Sequence, residues 1–168
     1  MQRLLKFLHT IGAIGMTGAI LGLIVMMSML PEAAALAEYA GARSVMSRLA
    51  KWIFLPSLAL VLVAGLLSMA VTPRFRSAGW ALVKLATGIV VFEGGLVGIQ
   101  GPMEREALLG TAVLAGTADP QLLGNSLNAE WGSLWLILAV AVANVALGIW
   151  RPRRMWPGIR KTDDSDAV

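Results

Sequence analysis

His9, Lys84, Glu93 and Asn144 stand inside otherwise apolar stretches of this chain. They are the residues whose types can do chemistry. An ionisable side chain within a membrane-spanning stretch is costly, and for that reason it is a functional candidate. His9 is the single histidine. An imidazole can ligate haem iron or another metal, or relay a proton. Gly12, Ala13 and Met16 share its face at helical spacing, and the small residues leave room beside the ring. The other reading of His9 is an interfacial histidine bonded to a neighbouring helix.

Lys84 stands about 7 Å into its apolar stretch at 1.5 Å per residue. Its long stem can snorkel to the interface. His9 and Asn144 lie at comparable depths in their own stretches, so three polar groups from three helices can share one layer. Glu93 is nine residues beyond Lys84, which places it on the opposite helix face and about 13 Å along the axis. The two cannot pair. Burial of Glu93 predicts a protonated carboxyl, either a proton site or a group bonded to a neighbouring carbonyl.

These residues are positioned by four long apolar stretches, about 4–30, 52–72, 79–99 and 131–150. Each approaches or exceeds the roughly 20 residues that cross about 30 Å of hydrocarbon. The composition agrees: 57% of the residues are hydrophobic and 14% are charged, where soluble proteins carry roughly 25%. The predicted fold is all-α, a bundle of four transmembrane helices over 1–153, followed by a cytoplasmic tail at 154–168. The length of the first stretch predicts a retained helix rather than a cleaved signal peptide.

Absence of cysteine excludes disulfides and thiolate chemistry. The net charge of +4 is read as a topology signal rather than a nucleic-acid footprint, because the basic residues cluster at span ends. Arg3, Lys6, Arg74, Arg76, Arg151, Arg153, Arg154, Arg160 and Lys161 fall on one side; Arg43, Arg48, Lys51 and Arg105 fall on the other. That asymmetry predicts both termini inside, N-in and C-in. Each external segment, 31–51 and 101–130, is expected to be a connector or to carry a short interfacial helix. Gly15, Gly18 and Gly22 predict a groove on the first helix for close packing. Pro56 is expected in the first turns of the second span. The tryptophans at span ends match an aromatic belt, and the methionines are read as packing residues.

The first helix reads Leu5-Lys6-Phe7-Leu8-His9 before a Gly/Ala run. The second has Pro56 and Gly65-Leu66-Leu67, the third opens Gly79-Trp80-Ala81-Leu82-Val83-Lys84-Leu85, and the fourth closes Asn144-Val145-Ala146-Leu147-Gly148-Ile149-Trp150-Arg151-Pro152-Arg153. Over about Lys6–Arg153 this order resembles uncharacterised four-helix bacterial integral membrane proteins. These are distantly similar to HemJ-type protoporphyrinogen oxidases and CopD-like membrane domains. The resemblance implies a first-helix histidine and a third-helix lysine with functional roles, here His9 and Lys84, and haem b as the cofactor to consider. HemJ-like sequences carry further histidines and a polar motif in the last helix; this chain has one histidine, and Asn144 in that helix.

Three functions are open. The first is a non-catalytic binding or assembly protein of the bacterial inner membrane, acting as a homodimer or with a membrane-protein partner. The second is a haem-linked redox protein with His9 as axial ligand, Lys84 on a propionate and Asn144 as a polar neighbour. The third is a proton-coupled transporter component using Glu93. No phosphate-cradling loop, dinucleotide fingerprint or metal-spaced histidine pair is present.

Overall fold

The computed structural model describes residues 2–71 and 79–150, with side chains described except at 79–82, 84 and 147–150. The described residues are all-helical, without a strand: α1 (Gln2–Ser28), α2 (Leu36–Leu49), α3 (Leu55–Val71), α4 (Gly79–Gly95), α5 (Gly101–Leu114) and α6 (Leu127–Trp150). Four helices are long and apolar enough to cross a membrane, which fits a multi-pass membrane protein. Their surfaces suit that role. Only 33% of the most apolar window of the first span, and 17% in each of the other three, is buried inside the protein. Much of the remainder is half-buried or exposed apolar side chain, which lipid accepts.

The two middle spans are longer than the apolar stretches that mark them. A π-helical turn, Ala50–Phe54, joins α2 to α3, so one continuous helix runs Leu36–Val71 for 36 residues. A second π-turn, Leu96–Gln100, joins α4 to α5 into a helix of the same length. Each measures about 54 Å, against about 30 Å of hydrocarbon. The more polar halves α2 and α5 pack against each other. This corrects the expectation of short interfacial helices: the segments are helical, but they prolong the spans. Pro56 also lies well inside the long helix and not in its first turns.

The prolines explain the π-turns. A proline inside a helix lacks the donor and crowds the carbonyl four residues back. Here Leu55 N–H bonds to Ala50 O just before Pro56, and Gly101 N–H bonds to Leu96 O just before Pro102. Widening each turn by one residue accommodates the ring. Ala50 is fourteen residues after Leu36, and Gln100 is fourteen before Leu114, so the two π-turns meet at one level. Gly95 is required there: a Cβ would stand 2.7 Å from Leu58 and 2.9 Å from Phe54.

The expected glycine groove on α1 is shifted. Gly12 and Gly15 face Ser57 of α3, with a Cβ at Gly12 only 2.9 Å from the Ser57 carbonyl, whereas Gly18 meets nothing within 4 Å. The core below runs from Met16, Ile20 and Leu23 of α1 through Phe54 and Leu58 to Ile99, Leu134 and Ile137.

The end of the bundle nearest α2 and α5 is closed by a buried polar chain. Arg43 of α2 is fully buried and bonds Glu130 of α6 at 2.5 and 3.4 Å. Its Nε–H donates to Tyr39 Oη at 3.2 Å, and Tyr39 O–H donates to Glu106 of α5 at 3.2 Å. Ser126 Oγ–H and Gly124 N–H complete the two carboxylates, each at 2.5 Å. Among the described residues no buried side-chain polar atom lacks a partner. The chain joins α2, α5, α6 and the 116–126 loop, and Met27 at the end of α1 lies against the guanidinium.

Candidate functional site

At the other end, a cavity of about 510 Å³ opens between α1, α3, α4 and α6. That size is typical of a small-molecule site. Its walls are mainly aliphatic and thioether side chains, including Leu58, Leu62, Leu66, Met69 and Val91. Few polar residues reach it: His9, Lys6 and Thr10 from α1, Thr17 further along, Ser68 from α3 and Asn144 from α6. The small residues Ala13, Gly65 and Gly88 leave the space that larger side chains would fill.

His9 is fixed by its neighbour helix. Its Nδ1 lies 2.9 Å from Val61 O. A carbonyl can only accept, so Nδ1 carries the hydrogen. The ring packs over Gly65, where a Cβ would come within 3.8 Å of Cε1 and Nδ1. This leaves Nε2 as the atom without a partner among the described residues. A histidine whose Nδ1–H is held by a carbonyl and whose Nε2 lone pair is open has the orientation that metal-ligating histidines use. It is equally the orientation of an acceptor waiting for a ligand's N–H or O–H.

Asn144 meets Thr87 of α4, with 3.0 Å between Oδ1 and Thr87 Oγ1. The same hydroxyl lies 3.0 Å from Val83 O, and it has one hydrogen to give. If that hydrogen goes to Val83, the Asn144 amide turns its NH₂ toward the hydroxyl. Asn144 also lines the cavity. The hydroxyls of Thr10 and Ser68 donate to carbonyls of their own helices, Lys6 O at 2.9 Å and Ala64 O at 2.7 Å. They offer oxygens as acceptors and no donor.

The structure thus brings His9 and Asn144 to one cavity. Lys84 stands one turn before Thr87 on α4, and its side chain lies outside the described ones. Lys6 was readable only as a topology charge; its place three residues before His9, on the same helix face, is the signal that puts it at the cavity.

Glu93 is elsewhere. It is exposed on the outer face of α4, which corrects the expectation that the bundle buries it. The inward face of that helix is taken by Gly88, Val91, Gly94, Gly95 and Gly98, which approach α3 and α6. Glu93 is two residues from both Val91 and Gly95, about 160° away at 100° per residue.

No group of three or more metal-ligating residues occurs among the described residues. A haem would find one imidazole, the thioethers of Met16 and Met69 on the same cavity wall, and the Lys6 ammonium for a carboxylate. No family model, no curated protein and no solved structure matches the chain.

Proposed function

We propose that this chain is a small, non-catalytic binding protein of the bacterial inner membrane. It takes an apolar molecule with one hydrogen-bonding end into the cavity between α1, α3, α4 and α6. The observation that carries the reading is the cavity itself: about 510 Å³, with mainly apolar walls and His9 and Asn144 among its few polar groups. The apolar body would lie among Leu62, Leu66 and Met69. His9 and Asn144 would orient the polar end, and Lys6 would favour an anionic one. Thr10 and Ser68 spend their hydrogens on their own helices, which supports binding over nucleophilic chemistry.

The charge asymmetry supports an N-in, C-in orientation. In that orientation the cavity opens toward the cytoplasmic half of the bilayer, and the α2–α5 pair stands on the outer side.

Haem-linked redox activity of the HemJ-like type is the second reading. It is motivated by the held Nδ1 of His9 and the open Nε2. His9 would supply the imidazole, Met69 a thioether, and Lys6 or Lys84 an ammonium for a propionate. Haem would supply the electron transfer, and the protein would supply ligation and a dry pocket.

The test is purification in mild detergent, followed by an absorption spectrum and mass analysis of extracted small molecules. The same is done for Gly65→Leu, which fills the space beside His9. A colourless protein carrying an apolar molecule that Gly65→Leu loses supports the binding reading. A Soret band lost in His9→Ala moves the haem reading ahead.

A further inference from the structure

A groove of about 300 Å³ runs between α2 and α5, and it shares no lining residue with the His9 cavity. Each wall is one helix stripe. Ser44, Ser47, Arg48 and Lys51 stand at spacings of three, one and three, so they share a face of α2 and of the π-turn that continues it. Glu104, Ala107, Leu108 and Thr111 repeat that spacing on α5. Trp52 also lines the groove and is 72% exposed.

The α2 wall holds unspent donors. Arg48 is exposed and has no hydrogen-bond or ion-pair partner among the described residues. The half-buried hydroxyls of Ser44 and Ser47 likewise bond nothing among the described residues. Other helical hydroxyls behave differently: Thr10, Ser68, Thr111 and Ser133 each donate to the carbonyl four residues back. Lys51 is matched by Glu104 at 3.0 Å, and Gln100 also donates to that carboxylate, at 2.6 Å. With Lys51 and Glu104 cancelling, the groove keeps the single positive charge of Arg48.

The groove also lies where the chain turns from polar to apolar. No charged residue occurs from Trp52 to Thr72, and Glu93 alone is charged between Leu85 and Met103. The Lys51–Glu104 bond sets these two boundaries side by side. An exposed tryptophan next to basic residues is the side-chain set that favours lipid head groups.

We propose that this groove holds the head group of an anionic phospholipid, a phosphodiester carrying an uncharged, hydroxylated group of the phosphoglycerol type. A phosphodiester brings one negative charge, which the one unmatched cation balances. Its two free oxygens suit the planar fork of Arg48, with Ser47 O–H as a further donor. Thr111 has given its hydrogen to Ala107 O, so its oxygen accepts from a head-group hydroxyl. A head group ending in an ammonium would find the Glu104 carboxylate already taken by Lys51 and Gln100. The acyl chains leave past Trp52 along the apolar surface of α3.

The test is a titration of delipidated protein in mild detergent with phosphatidylglycerol or phosphatidylethanolamine of matched chains, read by native mass spectrometry. The first phosphatidylglycerol should bind about fivefold tighter or more than phosphatidylethanolamine. Arg48→Gln should weaken it about five- to thirtyfold, and Arg48→Lys should keep part of the affinity, because the charge stays and the fork goes. Arg105→Gln removes an exposed cation beside the α5 stripe and outside the groove, and should leave binding unchanged. Arg48 is exposed and unpaired among the described residues, so its variants should melt like the wild type. Equal affinity for the two lipids, no loss in Arg48→Gln, or an equal loss in Arg105→Gln would overturn the proposal. Displacement of the lipid by inorganic phosphate at equal concentration would also overturn it, making the groove a free-anion site.

Discussion

Replacing Arg43 by alanine should destabilise the protein more than any other single charge removal among the described residues. The guanidinium is fully buried, holds Glu130 through two bonds at 2.5 and 3.4 Å, and donates to Tyr39 at 3.2 Å. Its removal leaves the Glu130 carboxylate buried with Ser126 as its remaining side-chain partner. Breaking one half of a buried pair costs about 3–5 kcal/mol, because the surviving charge stays desolvated. At roughly 2–4 °C per kcal/mol for a chain of this size, the melting temperature in detergent should fall by about 6–20 °C. Arg43→Met combined with Glu130→Leu removes both charges and should recover much of that loss. The assay is thermal unfolding of the single and double variants. If Arg43→Ala melted within 2 °C of wild type, by order of magnitude less than 1 kcal/mol, the pair would not hold this end together and the reasoning would fail.

Other outcomes follow from the same geometry. Lys51→Ala removes an ion pair with Glu104 whose side chains are 50% and 40% exposed, so solvent screening should leave the melting temperature close to that of wild type in the same assay. Gly95→Ala puts a methyl group 2.7 Å from Leu58 and 2.9 Å from Phe54 between the two π-turns; overpacking there should cost about 1–3 kcal/mol, read as a lower melting temperature. Gly18→Ala meets open space, so it should leave stability unchanged within about 0.5 kcal/mol. Gly65→Leu should keep the fold, by circular dichroism and gel filtration, while losing the bound molecule.

The four spans were legible because about 20 apolar residues carry one meaning in a membrane protein. Matched depth put His9 and Asn144 in one layer, but depth alone does not say which faces they occupy, so their meeting at one cavity is read from the helix packing. The long helices were not. Hydropathy marks where a helix is apolar and not where it ends, so polar α2 and α5 read as connectors or short surface helices although their backbone continues that of the spans. The rotation of α4 was hidden for a related reason. It is apolar nearly all round, so no amphipathic pattern says which face turns inward, and Glu93 was placed by chemistry alone on the wrong side. Arg43 and Glu130 are 87 positions apart. Their charges read as surface topology signals, and only the packing of α2 onto the start of α6 shows them as one buried pair.

The most direct test of the binding account is the content of the cavity. Wild type, His9→Phe and Gly65→Leu are purified side by side in mild detergent, with the absorption spectrum and the mass of extracted small molecules recorded for each. The account predicts a colourless wild type that carries one apolar molecule per chain, which is depleted in both variants while the fold is kept. The same bound material in wild type and Gly65→Leu, or no bound molecule in the wild type, would contradict it.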